Sequence, residues 1–431
     1  MIPGRSVLQA RPFRALRFAP EPGSEIDRRI APPYDVISPA HRERLAGHPH
    51  NIVHLDLPPE TPGSDPYHGA AERLRSWVQL GVLIRDPRPA FYLCEQEYRG
   101  PDGTARRRRG LFVRLALEPF EAGIVIPHER TLERPRLDRR RLLEATRAHF
   151  SAVFLLHPDP GAQVSRLLAE QARGEPTVAV SDGEGTDIRL VRLDEPPIVS
   201  RLERLLRDPW ALIADGHHRY ESGLAYQEAR RAQGARDAEH ILAFLCSLED
   251  EGLSVLPIHR LIHSVPDFAP ERVRSALAAY FHLQPVATPQ ALGGAVRAGR
   301  DLPGVFGLVF GADGGAFVAR WKEGTGLDRP GMRAVPEPLR RLDVILLHRL
   351  VLEEVLGIDP GAQARQSHLD YVKDEAQLLE RARDSQLGVL LNPTRIEQVV
   401  DVGRAGLRLP QKTTYFHPKV PSGLVIDPLD G

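Results

Sequence analysis

The stretch Ala214-Asp-Gly-His-His-Arg-Tyr-Glu221 decides the local fold of this chain. The residues from Trp210 to Ala214 form a short apolar run of strand length, and those from Ser222 to Arg231 have the composition of a helix. This order predicts a strand, a glycine-containing turn and the start of a helix. The first turn of a helix carries unpaired backbone N–H groups and the positive end of the helix dipole, so it attracts phosphate or carboxylate groups.

The side chains of this stretch suit the chemistry of phosphate. Asp215 can hold a divalent cation or a ribose hydroxyl, and Arg219 can donate two hydrogen bonds to a phosphate group. His217 and His218 can donate to anions or transfer protons. Gly216 allows the backbone to approach a ligand closely. We therefore expect catalytic roles for Asp215, His217 and His218, and phosphate contacts from Gly216 and Arg219.

Glu221 extends the cluster by one helical turn. It follows His217 by four residues and His218 by three, so it shares a face of the predicted helix with them and is a candidate base or substrate contact. A simpler interpretation stays open, in which Asp215 caps the helix while the histidines and Arg219 form surface ion pairs. A cap explains Asp215 but not the whole cluster.

The letters Asp-Gly-His-His-Arg resemble the phosphate-binding turn of the ParB/sulfiredoxin superfamily, whose members include chromosome-partitioning nucleotidases, sulfiredoxin and an archaeal ADP-dependent serine kinase. More closely, the chain is similar to an uncharacterised bacterial and archaeal family. The segments that carry this similarity span nearly the whole chain and are Ala31-Pro-Pro-Tyr-Asp-Val-Ile37, His128-Glu-Arg-Thr131, Asp138-Arg139, Ala214 to Glu221, Leu256-Pro-Ile-His-Arg260 and Leu409-Pro-Gln-Lys-Thr-Thr-Tyr-Phe-His-Pro-Lys419.

The resemblance implies a nucleotide-binding core that uses ADP or ATP with Mg²⁺ held by Asp215, and it adds Tyr220 to the nucleotide contacts. It also implies that the loop Ala31–Ile37 contributes to the site. Two successive prolines keep this loop extended and outside a central sheet ladder, so Tyr34 and Asp35 are presented to a ligand. The alternative is an ordinary turn in which Asp35 caps the following helix.

Two further segments offer polar side chains. His128 with Glu129 lacks the second histidine that a zincin helix requires, so a protease is excluded while a proton-transfer or cation-holding pair stays open. Arg139 belongs to an arginine-rich segment, and guanidinium groups match phosphate oxygens in pairs. A helix with a basic exposed face explains Arg139 equally well.

The remaining candidates lie towards the C-terminus. His259 and Arg260 stand at the end of a predicted strand and are substrate-binding candidates, although a single histidine is more often structural. The loop Leu409–Lys419 carries Lys412, which we expect to contact phosphate after the loop folds back onto the main domain. A solvent-exposed tail is the alternative.

The composition bears on possible partners. Lys plus Arg and Asp plus Glu both number 57, so no overall positive field draws the chain onto nucleic acid or an anionic membrane. The run Arg106–Arg109 follows a predicted hairpin turn and has no stacking aromatic residues, which favours a solvated edge. We find neither a leader nor an apolar run of about eighteen residues, and a cytoplasmic protein that does not cross a membrane is expected.

Short strands and helices alternate along the chain, which predicts an α+β (mixed α/β) fold. Strands are expected at Asn51–Leu57 and on both sides of Gly100–Gly103, and a helix at Leu342–Leu356. The family resemblance makes the core ParB/sulfiredoxin-like. We expect a main α/β domain with the motif at 1–264, a small inserted α/β subdomain at 265–325, and a helical segment with the C-terminal loop packing back on the main domain at 326–431.

Together these features favour a phosphotransferase or phosphatase that acts on a small hydroxy or phospho compound such as serine or phosphoserine. The alternatives are a nucleotide-gated DNA-binding protein, similar to partition proteins, and a nucleotide-binding protein without catalysis. The first alternative needs a helix-turn-helix soon after the motif, where this chain has apolar strand patterns instead. Sulfinic-acid repair does not fit this chain, because His217 stands where sulfiredoxins need a cysteine.

Overall fold

The structure is a computed structural model of the chain and describes residues 7–20, 25–60, 63–131, 133–311 and 314–429. Helices and strands alternate through these residues, which confirms the predicted mixed α/β class. The chain divides into two compact units: unit 1 comprises Met1–Ser254 and Phe416–Gly431, and unit 2 comprises Val255–Tyr415. No helix within the described ranges is both long enough and apolar enough to cross a membrane.

Unit 1 is built on a large mixed sheet. The strands of unit 1 before residue 254 are β1 (Ala10–Arg11), β2 (Leu16–Phe18), β3 (Leu83–Arg85), β4 (Phe91–Arg99), β5 (Ala105–Ala116), β6 (Val125–Ile126), β7 (Ala148–His149), β8 (Val153–His157), β9 (Val178–Ser181), β10 (Asp187–Leu193), β11 (Ala211–Asp215) and β12 (His240–Ser247), of which β2 and β3 pair with each other outside the large sheet. The sheet has the order β6-β11-β8-β12-β5-β4-β10-β9, and β1 pairs with β5. The predicted hairpin around Gly100–Gly103 is confirmed as β4 and β5.

The helices of unit 1 lie between these strands. They are α1 (Ile26–Arg29), α2 (Pro39–Ala46), α3 (Val53–Asp56), α4 (Pro66–Gln79), α5 (Glu133–Thr146), α6 (Gln163–Gln171), α7 (Pro196–Leu205) and α8 (His217–Ala232), with 3₁₀ turns at Tyr34–Val36 and Phe120–Ala122. The strand predicted at Asn51–Leu57 is wrong, because α3 occupies it. The side chain of Asn51 accepts a hydrogen bond from the backbone of Val53 at 2.9 Å, and this turns the chain into the helix. Short apolar runs fit a buried strand and a buried helix equally well.

The two faces of the main sheet have different coverings. Alternate residues of β5, including Leu111, Val113 and Leu115, join a hydrophobic core together with residues of α6 and α7. The residues between them, such as Arg108 and Phe112, point to the other face because successive side chains of a strand alternate. The second face is therefore where a charged side chain from the arginine run enters the interior.

A β-bulge in β11 changes the direction of the motif. β11 runs antiparallel to β8, and Ile213 pairs with Leu155, but the next pair joins Asp215 with Phe154. One extra residue, Ala214, is thus inserted in β11. In a regular strand Asp215 would share the face of Ile213, whereas the bulge places it opposite Phe154, on the face that Arg108 occupies.

Unit 2 has a sheet of its own, in the order β15-β17-β16-β19-β14-β18. Its strands are β14 (His259–Ile262), β15 (Phe281–Pro285), β16 (Val305–Phe310), β17 (Ala316–Trp321), β18 (Leu369–Val372) and β19 (Leu387–Leu390), and the strands β13 (Ser254–Leu256) and β20 (Tyr415–His417) cross the unit borders. The helices are α9 (Pro270–Leu277), α10 (Leu292–Arg297), α11 (Pro330–Arg333), α12 (Asp343–Leu346), α13 (Pro360–Arg365), α14 (Glu375–Ala382) and α15 (Ile396–Arg404), with 3₁₀ turns at Pro289–Ala291 and Glu337–Leu339. A last short strand, β21 (Asp427–Pro428), pairs with β7 in unit 1.

The unit borders differ from the expected borders at 264 and 325. β14 pairs with β18 and β19, so the segment before residue 264 belongs to the sheet of unit 2. β16, inside the expected insertion, pairs with β19 from beyond residue 325, so the two regions share one sheet. The helix predicted at Leu342–Leu356 is confirmed: α12 continues as a π-helix over Leu347–Val355 and ends before Gly357.

Candidate functional site

The predicted strand, glycine turn and helix are confirmed as β11, Gly216 and α8. Gly216 has φ +92°, a left-handed conformation that favours glycine, and no side chain caps the first turn of α8. The interpretation of Asp215 as a simple helix cap is therefore not what the structure contains. A helix of 16 residues with an uncapped N-terminus presents the positive end of its dipole.

Asp215 lies between two cations. One carboxylate oxygen is 2.5 Å from Nζ of Lys419, and the other is 2.5 Å from the guanidinium of Arg219. Burial by itself would raise the pKa of Asp215, but the charges of Lys419 and Arg219 lower it well below its usual range. Asp215 therefore stays ionised, and its two oxygens are used by the ion pairs.

Arg219 is held against the turn. Besides Asp215, its guanidinium donates to the carbonyl oxygen of Ala152. A Cβ atom on Gly216 would lie 2.9 Å from Nε of Arg219, so this guanidinium can occupy its position only because residue 216 has no side chain. The Nε atom itself is buried and has no hydrogen-bond partner among the described residues. The position of the Arg219 guanidinium thus depends on the glycine at residue 216.

His128 and His217 form a buried pair beside the turn. Their rings are T-shaped with centroids 4.7 Å apart, and the backbone N–H of His128 donates to Nε2 of His217 at 3.3 Å. Nδ1 of His128 is 2.7 Å from the carbonyl oxygen of Ile213, which can only accept, so Nδ1 carries a proton. The structure brings together the two segments that the sequence separated by nearly ninety residues.

The loop with Tyr34 and Asp35 also belongs to unit 1. Arg139 lies 4.1 Å from the centre of the Tyr34 ring and forms ion pairs with Asp56 at 3.0 Å and with Asp138 at 2.6 Å. Burial and the charge of Asp35 raise the pKa of Tyr34, so its phenol stays protonated. Asp35 itself is exposed. Arg139 is thus buried and held by carboxylates, and a basic exposed helix face does not describe it.

The other motif residues face different surroundings. Glu221 accepts hydrogen bonds from Thr131 at 2.6 Å and from Arg136 at 3.3 Å, and so ties α8 to the segment that follows His128. His218 is half-buried, and Glu129 lies at the edge of the histidine pair, 4.0 Å from Nε2 of His128.

Tyr220 points away from the turn. Its ring stacks on Phe120 with centroids 5.4 Å apart, and its hydroxyl exchanges hydrogen bonds with the backbone of Glu118 at 2.9 and 3.0 Å. These contacts give Tyr220 a structural role in the core.

His259, Arg260 and Lys412 belong to unit 2. Burial lowers the pKa of His259 to about 4, and its Nδ1 accepts a hydrogen bond from the backbone of Leu391 at 3.2 Å. Arg260 is buried and donates to the carbonyl oxygen of Lys412 at 3.2 Å. Lys412, from which a phosphate contact is expected, thus has its backbone held inside unit 2.

The sequence interpretation missed two residues of the site. Lys419 ends the segment Leu409–Lys419, and nothing in its neighbouring residues distinguishes it from Lys412. The solvated edge predicted for Arg106–Arg109 is correct for Arg107, which is paired with the exposed Glu97, and wrong for Arg108, which is fully buried. The alternation of side chains along β5 was the available signal for Arg108.

A cavity of about 770 Å³ lies elsewhere in unit 1, between the start of α4 and the C-terminal half of α5. Its lining contains none of the motif residues and consists of Glu60, Ser64, Asp65, Pro66, Tyr67, Arg141, Glu144 and Ala145. The candidate site is therefore formed by the converging side chains and lies away from this cavity.

A metal ion does not fit Asp215 well. Across the described part of the chain, no group of three or more His, Cys, Asp or Glu residues is arranged to hold a metal. Both oxygens of Asp215 already lie against cations, which would repel Mg²⁺. The residues present thus do not support the expected ion at this carboxylate.

Comparisons with known proteins give one strong match. A family model described as "Protein of unknown function (DUF1015)" matches residues 10–345. No curated protein matches the chain.

Solved structures to which the chain shows similarity include a free serine kinase in complex with AMP, which is 13% identical with a TM-score of 0.36, the match covering 73% of this chain and 92% of that one. They also include a conserved hypothetical protein from Pyrococcus furiosus (14% identity, TM-score 0.37, 74% and 96% coverage) and C-terminally truncated SbnI from Staphylococcus aureus (8%, 0.36, 74% and 87%). Because the family model covers more than half of the 431 residues, the chain belongs to the DUF1015 family.

Proposed function

We propose that the protein binds a phosphate-bearing small molecule, such as ADP or ATP, at the N-terminus of α8 and acts as a phosphotransferase or phosphatase. The small hydroxy or phospho compound that it acts on would resemble serine or phosphoserine. The observation that carries this proposal is the convergence of Lys419 and Arg219 on one carboxylate beside an uncapped helix N-terminus. Two cations against one anion leave a local excess of positive charge, and the helix dipole adds to it.

Phosphoryl transfer depends mainly on positioned positive charge, because negative charge is spread over the oxygens of the transferred group. The fixed guanidinium of Arg219 and the ammonium of Lys419 would supply that charge. Asp215 is a poor base, since the two cations hold its pKa low. Its role in the proposal is to orient both cations before the ligand binds.

Proton transfer would fall to groups that keep contact with solvent. Asp35 is exposed, and Glu129 and His218 are half-buried, so each can exchange a proton with water or with a bound hydroxyl group. The buried histidine pair would instead fix the turn. The resemblance of the motif to the ParB/sulfiredoxin phosphate turn supports a nucleotide as the ligand.

The test is binding of ADP, ATP, pyrophosphate and phosphate by titration calorimetry, followed by an assay for phosphorylated serine. We expect Lys419→Met to weaken ADP binding about tenfold or more, as expected for loss of a charge-assisted contact of about 1.5–3 kcal/mol. Lys322→Met is the control, because Nζ of Lys322 donates to the carbonyl of Ala278 in unit 2 and the change removes the same charge. Equal ADP affinity of the two variants, or no binding of any of these ligands to the wild type, would refute the proposal.

A further inference from the structure

Gln96 and Arg108 form a buried pair on adjacent strands. They are directly opposite each other in β4 and β5, and neither side chain is exposed. Arg108 forms no ion pair with a carboxylate among the described residues; its guanidinium lies over the rings of Phe154 and Phe244, at 4.7 and 5.6 Å. Burial lowers the pKa of Arg108. Burying a guanidinium without a carboxylate costs free energy, so the role of this side chain needs an explanation.

The hydrogen bonds of this pair converge on two consecutive residues of the C-terminal segment. Nη2 of Arg108 donates to the carbonyl oxygen of Pro418 at 2.6 Å, and the amide of Gln96 donates to the carbonyl oxygen of Lys419 at 3.0 Å. The oxygen of the Gln96 side chain in turn accepts from Arg108. Nε and Nη1 of Arg108 have no hydrogen-bond partner among the described residues, so the bonding of the guanidinium is concentrated on this contact.

Lys419 needs such support because its side chain is long. A lysine in solution loses substantial rotamer entropy when its ammonium group is held at one point. Here Nζ reaches Asp215 from a segment that is separated from it by 204 residues, and it is only slightly exposed. Phe416 anchors the start of the same segment, with its ring 5.9 Å from Phe154 and 6.3 Å from His128.

We propose that Gln96 and Arg108 are positioning residues, which hold the backbone of residues 418–419 so that the ammonium group of Lys419 stays on Asp215 and at the phosphate site. The inference deepens the proposed function and, for its effect on ligand binding, rests on it. It assigns a purpose to the one arginine of the run 106–109 that is fully buried. It also predicts that the two residues act through Lys419 and not independently.

The first test needs no ligand. The coupling between Asp215→Asn and Lys419→Met is measured from a double-mutant cycle in urea unfolding, once in the wild type and once with Gln96→Glu. A glutamate keeps an acceptor for Arg108 but cannot donate to the carbonyl of Lys419. We expect the coupling to fall by about half or more in the Gln96→Glu background. An unchanged coupling overturns the inference. Arg108→Met is the stronger variant, and Gln96→Glu keeps the test valid if that variant does not fold.

The second test uses ADP and pyrophosphate as probes. Gln96→Glu should weaken their binding about threefold to tenfold in the wild type, as expected for one hydrogen bond, and have no effect in the Lys419→Met background. Equal weakening in both backgrounds overturns the inference, because the new charge would then act directly. Glu97→Gln is the matched control, on the same strand and in an exposed pair with Arg107 at 2.6 Å. If neither probe binds the wild type, the proposed function fails, while the coupling measurement still decides the positioning role.

Discussion

In each unit a buried arginine holds part of the segment Leu409–Lys419. Arg108 in unit 1 lies 4.7 Å from the ring of Phe154 and donates to the carbonyl of Pro418 at 2.6 Å. Arg260 in unit 2 lies 4.6 Å from the ring of Tyr371 and donates to the carbonyl of Lys412 at 3.2 Å. In both units a guanidinium placed over an aromatic ring anchors a backbone carbonyl.

The two anchors differ in what they support. Beside Arg108, the next residue, Lys419, extends its ammonium group to the carboxylate of Asp215. Beside Arg260, the partner is His348, whose Nε2 lies 3.4 Å from the guanidinium and whose pKa is lowered by burial and by Arg260 to about 3. The same arrangement therefore supports an ion pair in unit 1 and a contact between the Arg260 guanidinium and a neutral imidazole in unit 2.

The largest expected effect breaks the ion pair itself. Asp215→Asn leaves the buried Arg219 and the largely buried Lys419 without their carboxylate, and we expect a loss of about 3–5 kcal/mol in the free energy of unfolding. Urea denaturation followed by circular dichroism measures it. Asp35→Asn, a change at an exposed carboxylate, should stay within about 0.5 kcal/mol of the wild type. A similar small loss for both variants would mean that the ion pairs do not stabilise unit 1.

A smaller effect separates the two lysines of the segment. Lys419→Met removes one partner of Asp215 while Arg219 stays, so we expect a loss of about 1–3 kcal/mol in unfolding free energy. Lys412→Met should change it by less than about 0.5 kcal/mol, because the contact with Arg260 uses the backbone carbonyl of residue 412. A larger loss of stability for Lys412→Met than for Lys419→Met in thermal and urea unfolding would contradict the comparison.

The glycine turn gives a third contrast. Gly216→Ala places a Cβ at φ +92° and 2.9 Å from Nε of Arg219, and we expect a loss of about 2–3 kcal/mol in unfolding free energy. In unit 2, Gly357 has φ +68° and open space around the same position, so Gly357→Ala should cost only about 1 kcal/mol. Equal losses would show that Arg219 moves aside without cost.

The smallest expected effect is the change in the free energy of unfolding for each pH unit of acidification. His348 has a lowered pKa in the folded state, so stability declines as pH falls below about 6.5, by up to about 1.4 kcal/mol per pH unit. Asp215 also has a lowered pKa, but its stabilisation is complete above about pH 5 and is lost only as the pH falls below about 4.

Unfolding measured from pH 7 to 3 can separate these windows. We expect His348→Gln, which keeps an acceptor for Arg260, to flatten the slope between about pH 6.5 and 5, and Asp215→Asn to flatten it only below about pH 4. A change of slope in the same window for both variants would contradict the assignment.

Local patterns in the sequence were sufficient for the central elements. β11, Gly216 and α8 follow from an apolar run, a glycine and a helical composition, and the helix around 343–355 follows from its apolar spacing. The error at Asn51–Leu57 arose because the side chain of Asn51 bends the backbone, an effect that apolar spacing does not encode.

The site was harder to predict because its contacts are long-range. The choice between Lys412 and Lys419 depends on which carbonyl is held by Arg260 and which by Gln96, at sequence separations of 152 and 323 residues. The direction of Asp215 depends on a change of register with β8. Neither the long-range hydrogen bonds nor the change of register leaves a pattern in the neighbouring residues. The motif, in contrast, is recognisable from its own residues.

The extra residue in β11 allows two different strand lengths to present Asp215 on the same surface. Deleting Ala214 would place Asp215 directly after Ile213, in regular register opposite Phe154, so we expect the carboxylate to keep its face of the sheet. Among homologues, a one-residue gap just before the Asp-Gly-His-His-Arg letters would therefore mark a protein that has lost the bulge and still directs the carboxylate towards the same face.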